Sequence, residues 1–96
     1  MKMIMIAYNE AVDMEVMELL ESCDIKNYTK ILGVYGRGTT SGVHLGNDIW
    51  PGRNNILYIA TEEQKAIQLI SCVEGLRGKL GKEGIKAFMW DLEKIT

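Results

Sequence analysis

Two glycine-rich, cationic stretches hold the residues best suited to bind an anion. The first is Gly36-Arg37-Gly38. Glycines admit φ > 0 and let the backbone come close to a ligand, and an arginine guanidinium can fork onto phosphate or carboxylate. The second is Gly78-Lys79-Leu80-Gly81-Lys82-Glu83-Gly84, flanked by Arg77 and Lys86. Glycines at intervals of three can wrap backbone N–H groups around phosphates, with the ammonium groups adding charge. Each stretch also has a plainer reading. The first can be a flexible loop with an incidental arginine, and the second a helix-terminating turn with solubilising lysines. Neither matches a dinucleotide fingerprint or a P-loop. No helix is expected after Gly38, and the second stretch lacks both the Gly-Lys-Ser/Thr ending and a helix after it.

Other chemistries find less material. His44 is the single histidine. With Asp48 it supplies one imidazole and one carboxylate, a poor metal site. No Ser-His-acid or Cys-His arrangement can be drawn, because both cysteines, Cys23 and Cys72, fall on the apolar stripes expected of helices. They read as reduced, buried, small hydrophobes. Aromatic residues are 7% of the chain and the basic residues form no stripe, which argues against a nucleic-acid binder. The expectation is a protein that is not an enzyme and needs no metal or resident cofactor.

Length and composition fit one globular domain spanning 1–96: 96 residues, 47% apolar, 25% charged, net charge −2. Six acidic residues and no basic one lie between Glu10 and Asp24, which reads as a solvated helix face. The apolar N-terminal run is short, with no cleavage site or membrane-span length, so a cytoplasmic protein without membrane insertion is expected.

The elements that must position the two stretches follow from periodicity. Residues 2–8 form an apolar run suited to a buried strand. Asp13 is expected to N-cap a helix ending near Cys23, with Val12 and Met17 as a hydrophobic staple. Residues 28–35 and 55–60 read as strands. Thr61 and Gln64 form a capping box for a second helix, which Gly75 and Gly78 weaken and end. Residues 85–92 read as the last strand. The order β-α-β-β-α-β is the ferredoxin-like pattern, an α+β fold with a four-stranded antiparallel sheet and two helices on one face. Residues 36–54 join two strands, although hairpin loops need only about 2–5 residues and long ones tend to be functional. Trp50-Pro51-Gly52 within it reads as a turn with an anchoring aromatic.

Both faces of the strands are apolar. Met3 and Met5 oppose Ile4 and Ile6; Ile56, Tyr58 and Ala60 oppose Leu57 and Ile59; Phe88 and Trp90 oppose Ala87 and Met89. Two helices cover one face only. The other is a patch larger than soluble monomers tolerate, so association through it is expected, with Trp90 in the core or at that interface.

Taken together these features resemble the nitrogen-regulatory PII signalling proteins. The likeness covers nearly the whole chain. It rests on the element order, Val12-Asp13 at the first helix, Val34-Tyr35-Gly36-Arg37 at the mouth of the loop, and Gly78-Lys79-Leu80-Gly81 before the last strand. The resemblance implies a homotrimer that binds ATP, ADP or AMP as an effector in the cleft between subunits and regulates a partner protein, an enzyme or transporter, through loop 36–54. It places Gly36, Arg37 and Gly38 at the loop base, with Gly78, Lys79, Gly81 and Lys82 near phosphate oxygens. Four departures stand out. Gly38 occupies the position of the family's glutamine, which argues against 2-oxoglutarate sensing. No tyrosine lies in residues 38–53. The Gly/Lys stretch is one residue longer than usual, and the family's basic C-terminal segment has no counterpart here. A divalent-cation-tolerance protein of the CutA type shares the fold and is the alternative.

Overall fold

The structure, a computed structural model, describes residues 1–36, 53–80 and 84–96. Its elements are β1 (Lys2–Asn9), a 3-10 turn (Glu10–Val12), α1 (Asp13–Ser22), β2 (Thr29–Tyr35), β3 (Arg53–Thr61), α2 (Glu63–Leu80) and β4 (Ile85–Asp91). The strands form one sheet in the order β2-β3-β1-β4, with every neighbouring pair antiparallel. This is the expected ferredoxin-like α+β arrangement.

Alternation sets the two faces. Ile4, Ile6 and Tyr8 of β1, with Leu57 and Ile59 of β3 and Ile85 of β4, are buried. They pack with Val16 and Leu20 of α1 and Ala66, Leu69 and Val73 of α2. The register puts Met3, Met5 and Ala7 on the opposite face, opposite Ala60, Tyr58 and Ile56 on one side and Trp90, Phe88 and Lys86 on the other. Neither helix covers that face: Phe88 is 42% exposed, Trp90 44% and Ile31 42%.

Local details differ from the sequence reading at both helix starts. Asp13 is not the N-cap of α1 but its first residue. Asn9 caps the preceding 3-10 turn instead, its side-chain oxygen accepting from Ala11 N at 2.9 Å. The turn inserts three residues ahead of the helix and frees the Asp13 carboxylate for other partners. Val12 and Met17 both pack against the core. Thr61 still belongs to β3, paired with Lys2, so the capping box does not form and α2 starts at Glu63. At its other end α2 runs through Gly75 and Gly78 to Leu80. Each helical glycine costs about 1 kcal/mol relative to alanine. Leu76 and Leu80, packed on the core, hold the last turn in place.

Helix α1 ends in a Schellman motif. Ile25 N donates to Leu20 O at 2.9 Å and Asp24 N to Glu21 O at 3.0 Å. Asp24 takes the left-handed position at φ 56, where glycine is usual.

Strand β2 carries a bulge between Ile31 and Val34, at Leu32-Gly33. Gly33 sits at φ +66, and its N–H donates to Asn55 Oδ1 at 3.3 Å. A Cβ there would meet nothing within 4 Å. Gly33→Ala should therefore cost only the backbone penalty of a left-handed residue, about 1–2 kcal/mol, read as a lower urea midpoint with unchanged m-value. A neutral outcome would mean that the bulge relaxes.

Candidate functional site

One end of the sheet gathers the mouths of both sequence-nominated stretches. Tyr35 of β2 pairs with Arg53 of β3, and Asn54 pairs with Asn9 of β1. Asn9 N donates to Gly84 O at 2.7 Å, which fixes the approach to β4 at that same end. Gly84 takes φ +95, a turn conformation suited to glycine.

Of the nominated residues, Gly36, Gly78 and Lys79 are described. Gly36 is exposed directly after β2, and a Cβ on it would lie 3.4 Å from Asn54 Nδ2. That is ordinary van der Waals contact with a side-chain end, so space within the chain does not demand glycine at 36. Gly78 and Lys79 lie exposed in the last turn of α2 rather than in a loop. A Cβ at Gly78 would meet nothing within 4 Å, so packing within the chain does not demand glycine there. Arg77 and Lys79 complement the negative end of the α2 dipole. Arg37, Gly38, Gly81 and Lys82 lie outside the described residues, as do His44, Asp48 and Trp50.

Among the described residues, Gly36 and Gly84 lie at opposite edges of the sheet. Strands β2 and β4 are the opposite edges of the sheet. Three strand spacings, about 14 Å, separate them.

A polar cluster that sequence reasoning did not assemble braces this end. Tyr8 OH donates to Asp13 Oδ1 at 2.6 Å, and Asn55 Nδ2 donates to the same oxygen at 3.3 Å. Lys30 Nζ stands 2.6 Å from it. Asn55, 4% exposed, turns its own oxygen to the Gly33 bulge. Through these contacts α1, β1, β2 and β3 are cross-braced beneath the base of the long loop. Arg53 Nε adds an exposed contact to Glu10 Oε1 at 3.4 Å. Burial opposes ionisation of Asp13, but the hydrogen bonds from Lys30, Tyr8 and Asn55 outweigh it and hold the carboxyl below its ordinary range. Burial and the Asp13 carboxylate push the Tyr8 hydroxyl above its ordinary value, so it stays a donor. The available signal was Asn55, a polar residue at an inward position of a strand.

Among the described residues no group of three or more His, Cys, Asp or Glu side chains could hold a metal ion. No helix among them is long and apolar enough to cross a membrane.

No protein-family model matches this chain, and no curated protein matches it significantly. Solved structures do. CPII from Thiomonas intermedia K12, a structure with ADP, AMP and acetate bound, superposes with a TM-score of 0.70 at 18% identity, over 92% of this chain and 81% of that one. The apo form of the same nitrogen regulatory PII-like protein gives a TM-score of 0.71 at 15% identity, covering 95% and 87%. A putative PII-like signaling protein from Thermus thermophilus gives 0.66 at 17% identity, covering 93% and 82%. This chain has the fold of the PII-like proteins. The PII-like fold accounts for the split βαβ order and for the sheet with one face clear of helices, both of which the strand patterns had suggested.

Proposed function

We propose that this chain is a PII-like signalling protein. In this reading it is a homotrimer that binds an adenine nucleotide between neighbouring subunits and acts on a partner protein, an enzyme or transporter, through loop 36–54. Its role is sensing rather than catalysis, in the cytoplasm. The nucleotide is an effector and not a resident cofactor.

The observation that carries the proposal is the placement of the two glycine-bearing stretches. Gly36 and Gly84 flank the ends of β2 and β4, at one end of the sheet but on its opposite edges. In this reading the ligand takes one stretch from each of two copies. The uncovered apolar face supports such copies. At about 25 cal/mol per Å², hiding a few hundred Å² per subunit is worth several kcal/mol. CPII, of the same fold, has been solved with ADP and AMP. In the proposed site Gly36, Arg37 and Gly38 come from one subunit, and Gly78, Lys79, Gly81 and Lys82 from its neighbour. With the end of α2 extended to Leu80, Lys79 projects from a helical turn and not from a loop. Any response of loop 36–54 to ligand requires different contacts in the bound and free states. The divalent-cation reading of the CutA type gains no supporting observation among the described residues.

Isothermal titration with ADP, ATP and AMP tests this. Arg37→Ala and Lys79→Ala should each weaken the tightest nucleotide by about 1–3 kcal/mol, the scale of one charge-assisted hydrogen bond, or roughly 5–150-fold in Kd. Wild-type affinity in both variants would remove the phosphate site.

A further inference from the structure

Cys23 and Cys72 lie 49 positions apart in the chain, yet their Sγ atoms are 2.9 Å apart. Both are free thiols. We propose that they are a reversible dithiol–disulfide pair, which on oxidation by a low-molecular-weight disulfide such as oxidised glutathione locks α1 to α2. The bond requires a sulfur–sulfur distance of about 2.05 Å, so the two atoms need to close by less than about 1 Å.

The surroundings hold the pair in place. Cys23 is the C-cap of α1, and its N–H donates to Leu19 O at 3.0 Å within the Schellman turn. Lys65 of α2 reaches back to that turn, with Nζ 3.1 Å from Asp24 O and 3.5 Å from Asp24 Oδ2. The helices are therefore already tied together two turns from Cys72.

The thiols are not equivalent. Cys23 is 4% exposed, whereas Cys72 is only partly covered. Burial and the adjacent Cys72 sulfur push the Cys23 thiol above its ordinary pKa, which keeps it protonated at rest. Cys72 is thus the group an external disulfide meets first. Its thiolate attacks one sulfur of oxidised glutathione, and one glutathione leaves as thiolate. Cys23 then gives its proton to solvent and attacks the Cys72 sulfur of the mixed disulfide. The second glutathione leaves as thiolate. Two protein thiols are oxidised, one glutathione disulfide is reduced to two thiols, and no other reactant is consumed.

The whole chain, incubated with excess oxidised glutathione, alkylated and digested without reductant, should yield a peptide pair joined through Cys23 and Cys72. Dithiothreitol should reverse it. Oxidised wild type should melt about 10–20 °C above the reduced form, because the cross-link closes a long loop. This comparison uses one protein and does not depend on how a variant folds. Cys23→Ser and Cys72→Ser, run in parallel, should show no rise. Two persistently free thiols, a stable mixed disulfide on Cys72, disulfides between separate chains, or a cross-link that leaves the melting temperature unchanged would each overturn the proposal.

Discussion

Tyr58→Asp should leave the chain monomeric at micromolar concentration. Tyr58 is central to the uncovered face, opposite Met5 of β1 and Thr29 of β2, with Ile56 and Ala60 two residues to either side along its own strand. Met5 in turn opposes Phe88 of β4, so this register row runs across all four strands. Tyr58 is half-buried in the single chain, so the new carboxylate keeps access to water there. In an assembly built on this face it would be buried among apolar side chains without a partner. A buried polar group without hydrogen bonds costs several kcal/mol and an unpaired charge more, which weakens association by at least about a thousandfold. Sedimentation velocity reads the result directly, with circular dichroism confirming unchanged helix content. A variant with the sedimentation coefficient of wild type would show that subunits meet elsewhere.

Asp13→Ala should lower stability by about 3 kcal/mol, or the melting temperature by about 15 °C. One oxygen of Asp13 serves Tyr8 and Asn55 as acceptor and Lys30 as counter-charge. Tyr8 is 1% exposed, so its hydroxyl would lose its partner with little access to water. The ion pair contributes less, because the side chains of Lys30 and Asp13 are 23% and 35% exposed and solvent screens them. The dependence on pH has a definite sign. The Asp13 carboxyl is held below its ordinary range in the folded chain, through hydrogen bonds that outweigh burial. Its stabilisation is therefore complete above the unfolded carboxylate value near 3.9 and is lost as pH falls through the folded value. Melting curves of wild type and variant should differ most near neutral pH and converge in acid. A constant gap down to pH 2 would mean that the loss is one of packing and not of the charged hydrogen bonds.

The fold was legible because its strongest signals are periodic. The inward residues Ile4, Ile6, Leu57 and Ile59 and the helix stripes around Leu20 and Leu69 fixed strand and helix order, and the opposing Met5, Tyr58 and Phe88 announced an uncovered face. Boundaries were less legible where tertiary contacts overrule local preference. Gly75 and Gly78 are poor helix residues, yet α2 continues past both because Leu76 and Leu80 have core to pack on. Asp13 is a good cap by type, but Asn9 and a 3-10 turn took that task, and the carboxylate turned inward to Tyr8 and Lys30. Such a cluster draws on residues 8, 13, 30 and 55, from four elements, and no spacing rule along a sequence connects them. The candidate site was legible only as two glycine-bearing stretches. That Gly36 and Gly84 lie at one end of the sheet on opposite edges is a property of strand order, which a local pattern cannot express.

The central claim is that copies of this chain assemble and hold adenine nucleotide between them. Native mass spectrometry of the whole chain with ADP tests both halves in one spectrum. The expected result is a trimer that takes up as many as three nucleotides, with no nucleotide on any residual monomer. A monomer that carries ADP by itself, or a chain that neither assembles nor binds, would contradict it.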